Sequence, residues 1–561
     1  MKKSFWIGLV LLVLIIGGVL AWRLLSPQGA EATPGAVSSI PSTDRLAAAK
    51  AEPLTVGGIG GYTLASVDLG DGSVPLLRIP LDTWGGYAAL FAANGGIKAS
   101  KDSVFYKKHG FAVEFVPEES AQAQLDGFAA GRYVAIWSSM DTLPLLYEAL
   151  RSDRRVVPQV IGLFDWSVGG DGILVRDFIR KPQDLKGKTI LTSSPSAYSF
   201  FLLWYLAQLD ISPLDVKVVH VDDGDQALET FRDNKGIAAW VTWTPYLTDA
   251  VDKASAGFVP DTRLLITSRD ANQLIADVIV ARNDFVKDNP AIAAGLVDGL
   301  FAGYDLIQAG NAQAFSAMAE FYKLPGGAAE ARSMLDEVHL ATLPETEMFL
   351  ALDNPIGAHK VFLLSQEYYK MLGIMPASSS WEPDRVLYSA AVEAARASGQ
   401  YTMQKNTIQN SFNREAGLDI NDLENQRLVL AADIKLYFEA QKLDFDPDAD
   451  TEEILQNLRH LGRVAEQMDI LGTTIVKLVG HLDTSRVEDF RSQGPQAFIE
   501  ASAQAKLISK RRAEFVKTVL VERFGIDADR VITEGRGWDE PLDTLDPDAN
   551  RRVEVQFLSF E

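Results

Sequence analysis

Short apolar runs alternate with amphipathic helical stretches from residue 74 to residue 380, and this alternation restricts the fold more than any other feature of the chain. It predicts α/β units built around largely parallel sheets. The predicted strands are residues 76–79, 113–116, 134–137, 157–164, 189–192, 216–221, 237–242 and 277–281. The predicted helices between them include residues 121–130, 143–151, 198–209 and 226–234. In such sheets ligands bind where loops leave the carboxyl ends of the strands.

Four loops at these strand ends carry residues suited to ligand binding. They are Asp82-Thr83-Trp84-Gly85-Gly86-Tyr87, Ser138-Ser139-Met140-Asp141, Ser193-Ser194-Pro195-Ser196 and Trp243-Thr244-Pro245-Tyr246. Glycines let a backbone approach a ligand, and aromatic rings offer faces for stacking. Hydroxyls and free N–H groups at the start of a helix can bind an anionic or carbonyl group. The alternative for each loop is a plain helix cap, with the tryptophans filling the core.

Three further motifs carry a resemblance to a known family. Phe105-Tyr106-Lys107-Lys108-His109-Gly110-Phe111 precedes a predicted strand, Pro182-Gln183-Asp184-Leu185-Lys186-Gly187-Lys188-Thr189 leads into another, and Asp284-Phe285-Val286-Lys287-Asp288-Asn289-Pro290 enters later helices. With Trp84-Gly85-Gly86-Tyr87, they resemble the periplasmic substrate-binding proteins of ABC importers that take nitrate, sulfonates, taurine or thiamine-pyrimidine precursors. The resemblance covers about three hundred residues. It implies two α/β lobes that close over a small molecule by a hinge movement.

The resemblance also implies which residues line the cleft. The first lobe would contribute Trp84, Gly85, Tyr87, Ser138, Ser139 and Asp141, and the second Ser194, Ser196, Tyr198 and Trp243. The candidate loops hold the acidic residues Asp82, Asp141, Asp165 and Asp171 and no arginine. We therefore expect a neutral polar or amine-bearing ligand against an aromatic wall, and not a bare anion.

Residues 431–561 carry a second set of ordered motifs. A β-like run over residues 475–479 ends in Gly480-His481-Leu482-Asp483, an amphipathic helix carries Ser509-Lys510-Arg511-Arg512-Ala513, and the chain closes on Asn550-Arg551-Arg552-Val553. These motifs resemble an OmpA-like peptidoglycan-binding domain, which implies an α/β sandwich.

The peptidoglycan ligand implied by this resemblance is the diaminopimelate of the stem peptide, whose free end is a zwitterion. An aspartate can take the ammonium, and an arginine can hold the carboxylate with two parallel hydrogen bonds. By motif position, Asp483 and Arg512 match these roles, and Arg551 belongs to the terminal signature. The alternative is that they are ordinary surface charges. Leu482 and Ala505 depart from the family pattern, and the segment between Asp483 and Arg512 is longer than usual.

The N-terminus predicts an exported chain. Lys2 and Lys3 precede an uncharged run over residues 4–22, which is long enough to cross a membrane as a helix with the rest of the chain outside the cytoplasm. A cleaved signal peptide ending near Ala30-Glu31-Ala32 is the alternative. The predicted divisions are a transmembrane anchor (1–25), a linker (26–73), a two-lobed substrate-binding domain (74–395), a helical linker (396–430) and an OmpA-like domain (431–561).

Composition excludes several functions. A net charge of −22 disfavours nucleic-acid binding, and the absence of cysteine excludes disulfides and thiolate metal sites. The acidic turn at residues 444–450 lacks the glycine and distal glutamate of a calcium loop, so no metal or cofactor is predicted. No nucleophile motif or phosphate loop is present. We predict a non-enzymatic envelope solute-binding protein tethered to peptidoglycan, serving an ABC permease or a sensor. A purely structural tether and a pyrimidine-synthase-like enzyme are the alternatives.

Overall fold

The computed structural model describes residues 53–193, 196–221, 224–352, 354, 356–408, 427–438, 442–542 and 548–559. The predicted membrane span and most of the predicted linker lie outside these residues, as does Ser194. Residues 65–72 belong to the folded domain and not to a linker, because β1 (Ala65–Asp68) pairs antiparallel with β2 (Ser73–Leu81).

The first lobe contains two sheets. One has the order β1-β2-β3, with β3 (Ala112–Pro117) parallel to β2. The other is antiparallel throughout. Its strands, in spatial order, are β12 (Val338–Leu340), β5 (Pro158–Ser167), β11 (Ala276–Arg282) and β4 (Ala135–Ser139).

The second lobe is built on one five-stranded sheet. Its strands, in spatial order, are β10 (Thr262–Thr267), β6 (Asp171–Arg176), β9 (Ile237–Trp243), β7 (Thr189–Thr192) and β8 (Lys217–His220). All eight strands predicted between residues 74 and 380 are confirmed, and so is the two-lobed α/β class. The prediction of largely parallel sheets is wrong, because β5 continues into β6 and β10 into β11, and these crossing strands run antiparallel to their neighbours.

Helices cover the sheets of both lobes. They are α1 (Ala88–Asn94), α2 (Val104–His109), α3 (Ala121–Ala130), α4 (Leu143–Leu150), α5 (Ala197–Gln208), α6 (Gly224–Asp233), α7 (Tyr246–Asp249), α8 (Asn283–Asp288), α9 (Pro290–Gln308), α10 (Ala312–Tyr322), α11 (Gly327–Ser333), α12 (Leu343–Leu350), α13 (Ala358–Met371) and α14 (Ala390–Ser398). Among the described helices only α9 is long and apolar enough to cross a membrane, and it is a largely buried core helix. Glycine at position 303 lets it approach α1, since a Cβ there would lie 1.9 Å from the Ala89 carbonyl oxygen.

The C-terminal domain has a four-stranded sheet with helices. Its strands, in spatial order, are β13 (Arg427–Tyr437), β16 (Arg552–Ser559), β14 (Ile475–His481) and β15 (Val531–Gly537). Its helices are α15 (Glu452–Ile470), α16 (Val487–Ser492) and α17 (Pro495–Phe524). The predicted helical linker 396–430 is wrong at its end, because residues 427–430 already pair with β16 as strand.

The C-terminal domain contacts the second lobe. On α15, the Arg463 guanidinium lies 3.0 Å from the Asp210 carboxylate, just beyond α5. In the turn before β14, Thr473 Oγ1 donates to the carbonyl of Arg269 at 3.2 Å. Arg269 lies on the segment that joins β10 to β11, so one of these contacts reaches a connection between the lobes.

Candidate functional site

Two crossover segments, residues 168–170 and 268–275, join the lobes and are hydrogen-bonded to each other. Ser268 lies at the centre: its Oγ accepts from the backbone N–H of Gly169 at 2.8 Å and lies 2.9 Å from Ser167 Oγ. Ser167 Oγ in turn donates to the Asp171 carboxylate at 2.6 Å. Short paired connections of this kind are where two lobes can bend relative to each other.

The loop after β2 lies against the crossover strands. The indole N–H of Trp84 donates to both carboxylate oxygens of Asp165, at 3.2 and 3.3 Å. Tyr87 is buried, and its hydroxyl donates to Asp82 at 2.7 Å. The predicted residues Trp84 and Tyr87 are therefore both in the cleft region, where each donates to a carboxylate.

The glycines of this loop serve the fold. A Cβ on Gly86 would lie 1.6 Å from the Asp165 carboxylate, and one on Gly85 would lie 2.7 Å from the carbonyl oxygen of Met334. Both Cβ positions are already filled by other atoms of the protein. The close approach that the sequence assigned to a ligand is thus an approach to the protein itself, and the glycine at position 85 is explained by packing.

The end of β4 and the turn after it place the predicted residues Ser138, Ser139 and Asp141 at the same end of the sheet, and all three are buried. Ser139 Oγ lies 2.9 Å from the hydroxyl of Thr142. Asp141 Oδ2 accepts a long hydrogen bond of 3.3 Å from Tyr369. Within the described residues its other oxygen, Oδ1, is buried without a hydrogen-bond donor.

The second lobe supplies an aromatic surface. Tyr198, on the first turn of α5, stacks on Trp243 at the end of β9, with ring centroids 4.7 Å apart and planes inclined by 14°. Trp243 is paired in register with Asp171 on β6. Ser196 is the N-cap residue of α5, and its hydroxyl lies 3.4 Å from that of Ser193. These predicted residues therefore lie together with one of the acidic side chains.

Sequence reasoning missed Asp277, the second residue of β11. Its register partners are Asp165 on β5 and Ser139 on β4, so two carboxyls stand directly opposite each other on adjacent buried strands. Like charges in that position destabilise a sheet. The signal in the sequence is a single acid that opens the otherwise apolar strand 277–281.

Five carboxyls therefore gather at the meeting point of the lobes, and we call them the cleft cluster: Asp82, Asp141, Asp165, Asp171 and Asp277. Burial raises the pKa of each: to about 7 for Asp82 and Asp171, to about 6 for Asp141, to about 8 for Asp165, and well above the usual range for Asp277. Charges of other cluster members add to the effect on Asp165, Asp171 and Asp277. Perturbed groups gathered in a cleft are typical of functional sites.

In the C-terminal domain, Asp483, Arg512 and Arg551 lie together, and we call this group the Asp483 pocket. Arg551 Nη1 is 3.6 Å from Asp483 Oδ2. Arg512 is buried, stacks on the ring of Phe438 and donates through Nε to the carbonyl of Lys442 at 3.0 Å. Burial lowers the pKa of Arg512 to about 10, the charge of Arg551 acts in the same direction, and the Asp483 carboxylate opposes both.

The neighbouring arginine, Arg552, serves the fold. It is buried and holds Glu554 on the same strand, through Nε at 2.8 Å. Burial acts to raise the pKa of Glu554, but hydrogen bonding by His481 and the charge of Arg552 hold it at about 2. Arg551 thus lies beside Asp483, and Arg552 binds Glu554 within the fold. The sequence alone did not distinguish these two roles.

The long segment between Asp483 and Arg512 forms α16 and the first turns of α17. Trp538, after β15, stacks between Phe490 and Phe498 of this segment, with centroids 5.9 and 6.3 Å away. The insertion is therefore fixed by an aromatic stack beside the domain.

Two family models match separate parts of the chain. The model described as NMT1/THI5 like matches residues 95–314, and the OmpA family model matches residues 437–554. The comparison with curated proteins found no match.

The chain is also similar to solved structures. These include the periplasmic aliphatic sulphonate binding protein SsuA from Escherichia coli, with 17% identity over 54% of this chain and 94% of that chain and a TM-score of 0.41. The periplasmic nitrate-binding protein NrtA from Synechocystis PCC 6803 has 15% identity over 57% of this chain and 88% of its own, with a TM-score of 0.39. The desulfurization enzyme DSZB has 16% identity over 58% of this chain and 99% of its own, with a TM-score of 0.37.

All three TM-scores are below 0.5, so the assignment of domains rests on the family models and on the architecture described above. Both resemblances predicted from the sequence are confirmed at that level. The chain thus joins a region that matches the NMT1/THI5-like model to a region that matches the OmpA family model.

Proposed function

We propose that this protein is an envelope solute-binding protein that captures a small molecule between its lobes and is held to peptidoglycan by its C-terminal domain. The observation that carries the proposal is the presence, in one chain, of a hinged cleft and of a pocket in which Asp483 and Arg551 lie together. Each half has its own physical support.

The Asp483 pocket has the groups that a zwitterion needs. A diaminopimelate ammonium would bind the Asp483 carboxylate, and its carboxylate would bind Arg551, with Arg512 adding positive charge from behind. At 3.6 Å, Arg551 and Asp483 attract each other without a short hydrogen bond between them. A ligand that supplies both charges can therefore bind both groups at close range, beside the hydrogen bond that the Ser485 N–H donates to Asp483 Oδ1 at 3.2 Å.

The cleft supports capture of a solute. Its hinge consists of two short crossovers, and its walls come from both lobes. The first lobe contributes Trp84 and four of the five acids, and the second contributes Tyr198, Trp243 and Asp171. The sulphonate- and nitrate-binding proteins named above favour a role in ABC-type import or in sensing. We propose binding without turnover, although DSZB is an enzyme.

The proposed location is the periplasmic side of the inner membrane, with residues 1–25 as a single-pass anchor. The alternative is a soluble periplasmic protein after signal cleavage. Membrane fractionation followed by N-terminal sequencing separates the two: an anchored chain stays in the membrane fraction and retains residues 1–25.

Pulldown of the full-length chain on purified sacculi tests the wall-binding half. We expect the double variant Asp483→Ala, Arg551→Ala to lose at least tenfold in binding. The matched control is Asp448→Ala, Arg523→Ala, which removes an exposed ion pair of 2.8 Å elsewhere in the same domain and should bind as the parent does. Unchanged binding by the Asp483 variant, with folding verified by circular dichroism, would exclude this pocket as the wall site.

A further inference from the structure

The cleft cluster is acidic without basic compensation. Within the described residues, no lysine or arginine nitrogen lies within 4.0 Å of any of its five carboxyls. Four of the five are buried: Asp141, Asp165, Asp171 and Asp277. The nearby guanidinium of Arg269 donates to the carbonyl of Asp336 at 2.9 Å. Buried carboxylates are normally paired, because an isolated buried charge is costly.

Two of these carboxyls also have an oxygen to which no described residue donates a hydrogen bond. Asp141 is 1% exposed, and its Oδ1 has no donor in the described part of the chain. Asp277 is 6% exposed, and no described residue donates a hydrogen bond to its carboxyl. Asp277 stands in register with Asp165 and Ser139, and the charge of Asp141 acts on both Asp171 and Asp277. The unpartnered oxygens thus lie in one site, and a buried acceptor that is left without a donor is destabilising.

The aromatic surface adjoins the acids. Trp243 is the register partner of Asp171, and its indole is stacked on Tyr198. The charges of Asp171, Asp82, Asp277 and Asp141 all act on the Tyr198 hydroxyl, which places the ring beside the cluster. An aromatic face attracts a cation as well as an apolar group.

We infer that the cleft binds a small organic cation with N–H donors, of the primary ammonium or amidinium class, carrying an apolar group that stacks on Tyr198 and Trp243. This inference rests on the proposed function, in which the lobes close over a solute. The N–H groups would supply the donors that Asp141 and Asp277 lack, and the positive charge would offset the repulsion between Asp165 and Asp277. A sulfonate or nitrate would instead add negative charge to an acidic site.

Binding of such a cation would release protons. Burial, with mutual repulsion, raises the pKa values of the cluster, and Glu119 and Glu337 act on Asp82 and Asp171 in the same direction. A bound cation favours the ionised forms and lowers these pKa values. Affinity is therefore expected to rise as pH increases from 6 to 8.

Calorimetric titration of the full-length chain at pH 8 tests the inference with three ligands of similar shape: benzylamine, benzyl alcohol and benzenesulfonate. We expect benzylamine to bind, with proton release seen as a dependence of the heat on the buffer's ionisation enthalpy. Benzyl alcohol should bind at least tenfold more weakly, and benzenesulfonate and nitrate should not bind. Benzamidine and 1,4-diaminobutane extend the cationic set.

Variants locate the site. Asp277→Asn and Asp171→Asn should each weaken benzylamine binding at least tenfold, and Asp384→Asn, which removes an exposed carboxylate, should leave it unchanged. Circular dichroism checks that each variant folds. If one of the two cluster variants does not fold, the other still tests the site.

The failures are distinguishable. Binding of benzenesulfonate or nitrate, with no response to any cation, overturns the cation class and leaves solute capture standing. No binding by these ligands or by a metabolite panel of all charge types overturns solute capture as well.

Discussion

The cleft cluster and the Asp483 pocket use acidic residues in opposite ways. In the cleft, carboxyls face carboxyls, and burial raises the pKa values of Asp82, Asp141, Asp165 and Asp171 to about 6–8 and that of Asp277 well above its usual range. In and around the Asp483 pocket, each acid has an arginine: Arg551 for Asp483 and Arg552 for Glu554, whose pKa is held at about 2. The first arrangement costs stability until a partner arrives, and the second is already balanced. The unbalanced negative charge of the cleft cluster therefore indicates the charge of the ligand that would bind there.

The largest expected effect compares glycines at the two sites. Gly480→Ala places a Cβ 1.9 Å from the backbone carbonyl oxygen of Ser509, which cannot move without shifting α17. We expect the C-terminal domain to lose about 3 kcal/mol. Gly86→Ala meets the Asp165 side chain and not a backbone atom, so we expect a smaller loss of about 1–2 kcal/mol there.

Hydrogen exchange resolved by domain measures both losses. Gly58→Ala is the control, because no atom lies within 4 Å of its Cβ position. Equal losses for Gly480→Ala and Gly86→Ala would contradict the difference between a rigid and a movable neighbour.

Adjacent arginines should give opposite phenotypes. Arg552→Ala removes the charged partner of Glu554 and should destabilise the C-terminal domain by about 2 kcal/mol. Arg551→Ala should cost less stability than Arg552→Ala, because the Arg551 side chain is more exposed, and should reduce sacculus binding at least tenfold. Denaturant unfolding and sacculus pulldown measure the two quantities. Loss of stability in Arg551→Ala without loss of binding would show that the pocket only braces the fold.

The pH dependence of stability should differ in sign between unpaired and paired acids. A carboxyl with a raised pKa binds more protons in the folded state, so its contribution to stability falls as pH rises from about 4 to 8. Because burial and the charges of the neighbouring acids raise the pKa of Asp277, Asp277→Asn should stabilise the ligand-free chain at pH 8, and less at pH 5.

Asp298 is the matched opposite. It is buried, and burial raises its pKa, but hydrogen bonds from His109, Tyr401 and Lys108 bring it down to about 2. Its contribution is present above about pH 4 and is lost as pH falls towards 2. Asp298→Asn should therefore destabilise the chain at pH 8. Thermal unfolding at both pH values measures the two variants, and a gain in Asp298→Asn would contradict the argument.

The smallest expected effect is at the contact between domains. The Arg463–Asp210 pair is partly exposed, so Arg463→Ala should cost about 0.2–1 kcal/mol, and less at high salt. Arg459→Ala, on the same helix, removes a pair with Glu452 inside the C-terminal domain. Hydrogen exchange of α5 should increase only in the Arg463 variant. The same increase in the Arg463 and Arg459 variants would mean that the Arg463–Asp210 pair does not couple the two domains.

Periodicity predicted most of the fold and part of the sites. The eight predicted strands are apolar runs between helices, and those patterns depend on local sequence. The crossing strand β6 was missed because it begins with Asp171-Gly172 after two glycines, which resembles a turn. Residues 428–430 were assigned to a helix because a short apolar run among charged residues fits both the period of a helix and that of a strand.

The partners of the acids were beyond sequence reasoning. Asp277 becomes notable only when β11 is placed between β4 and β5, which is a matter of register. The different roles of Arg551 and Arg552 likewise depend on where β16 begins. Arg552 is its first residue and Arg551 lies just before it, and the sequence does not say which of the two meets Asp483.

The hydrogen bond from Thr473 to the carbonyl of Arg269 connects the C-terminal domain directly to a crossover between the lobes. Thr473 lies two residues before β14, whose far end leads to Asp483, and Arg269 lies in the crossover from β10 to β11. A load applied at Asp483 by a stretched cell wall would travel along one strand and arrive at the bend between the lobes. Tension in the envelope and occupancy of the cleft would then act on the same joint.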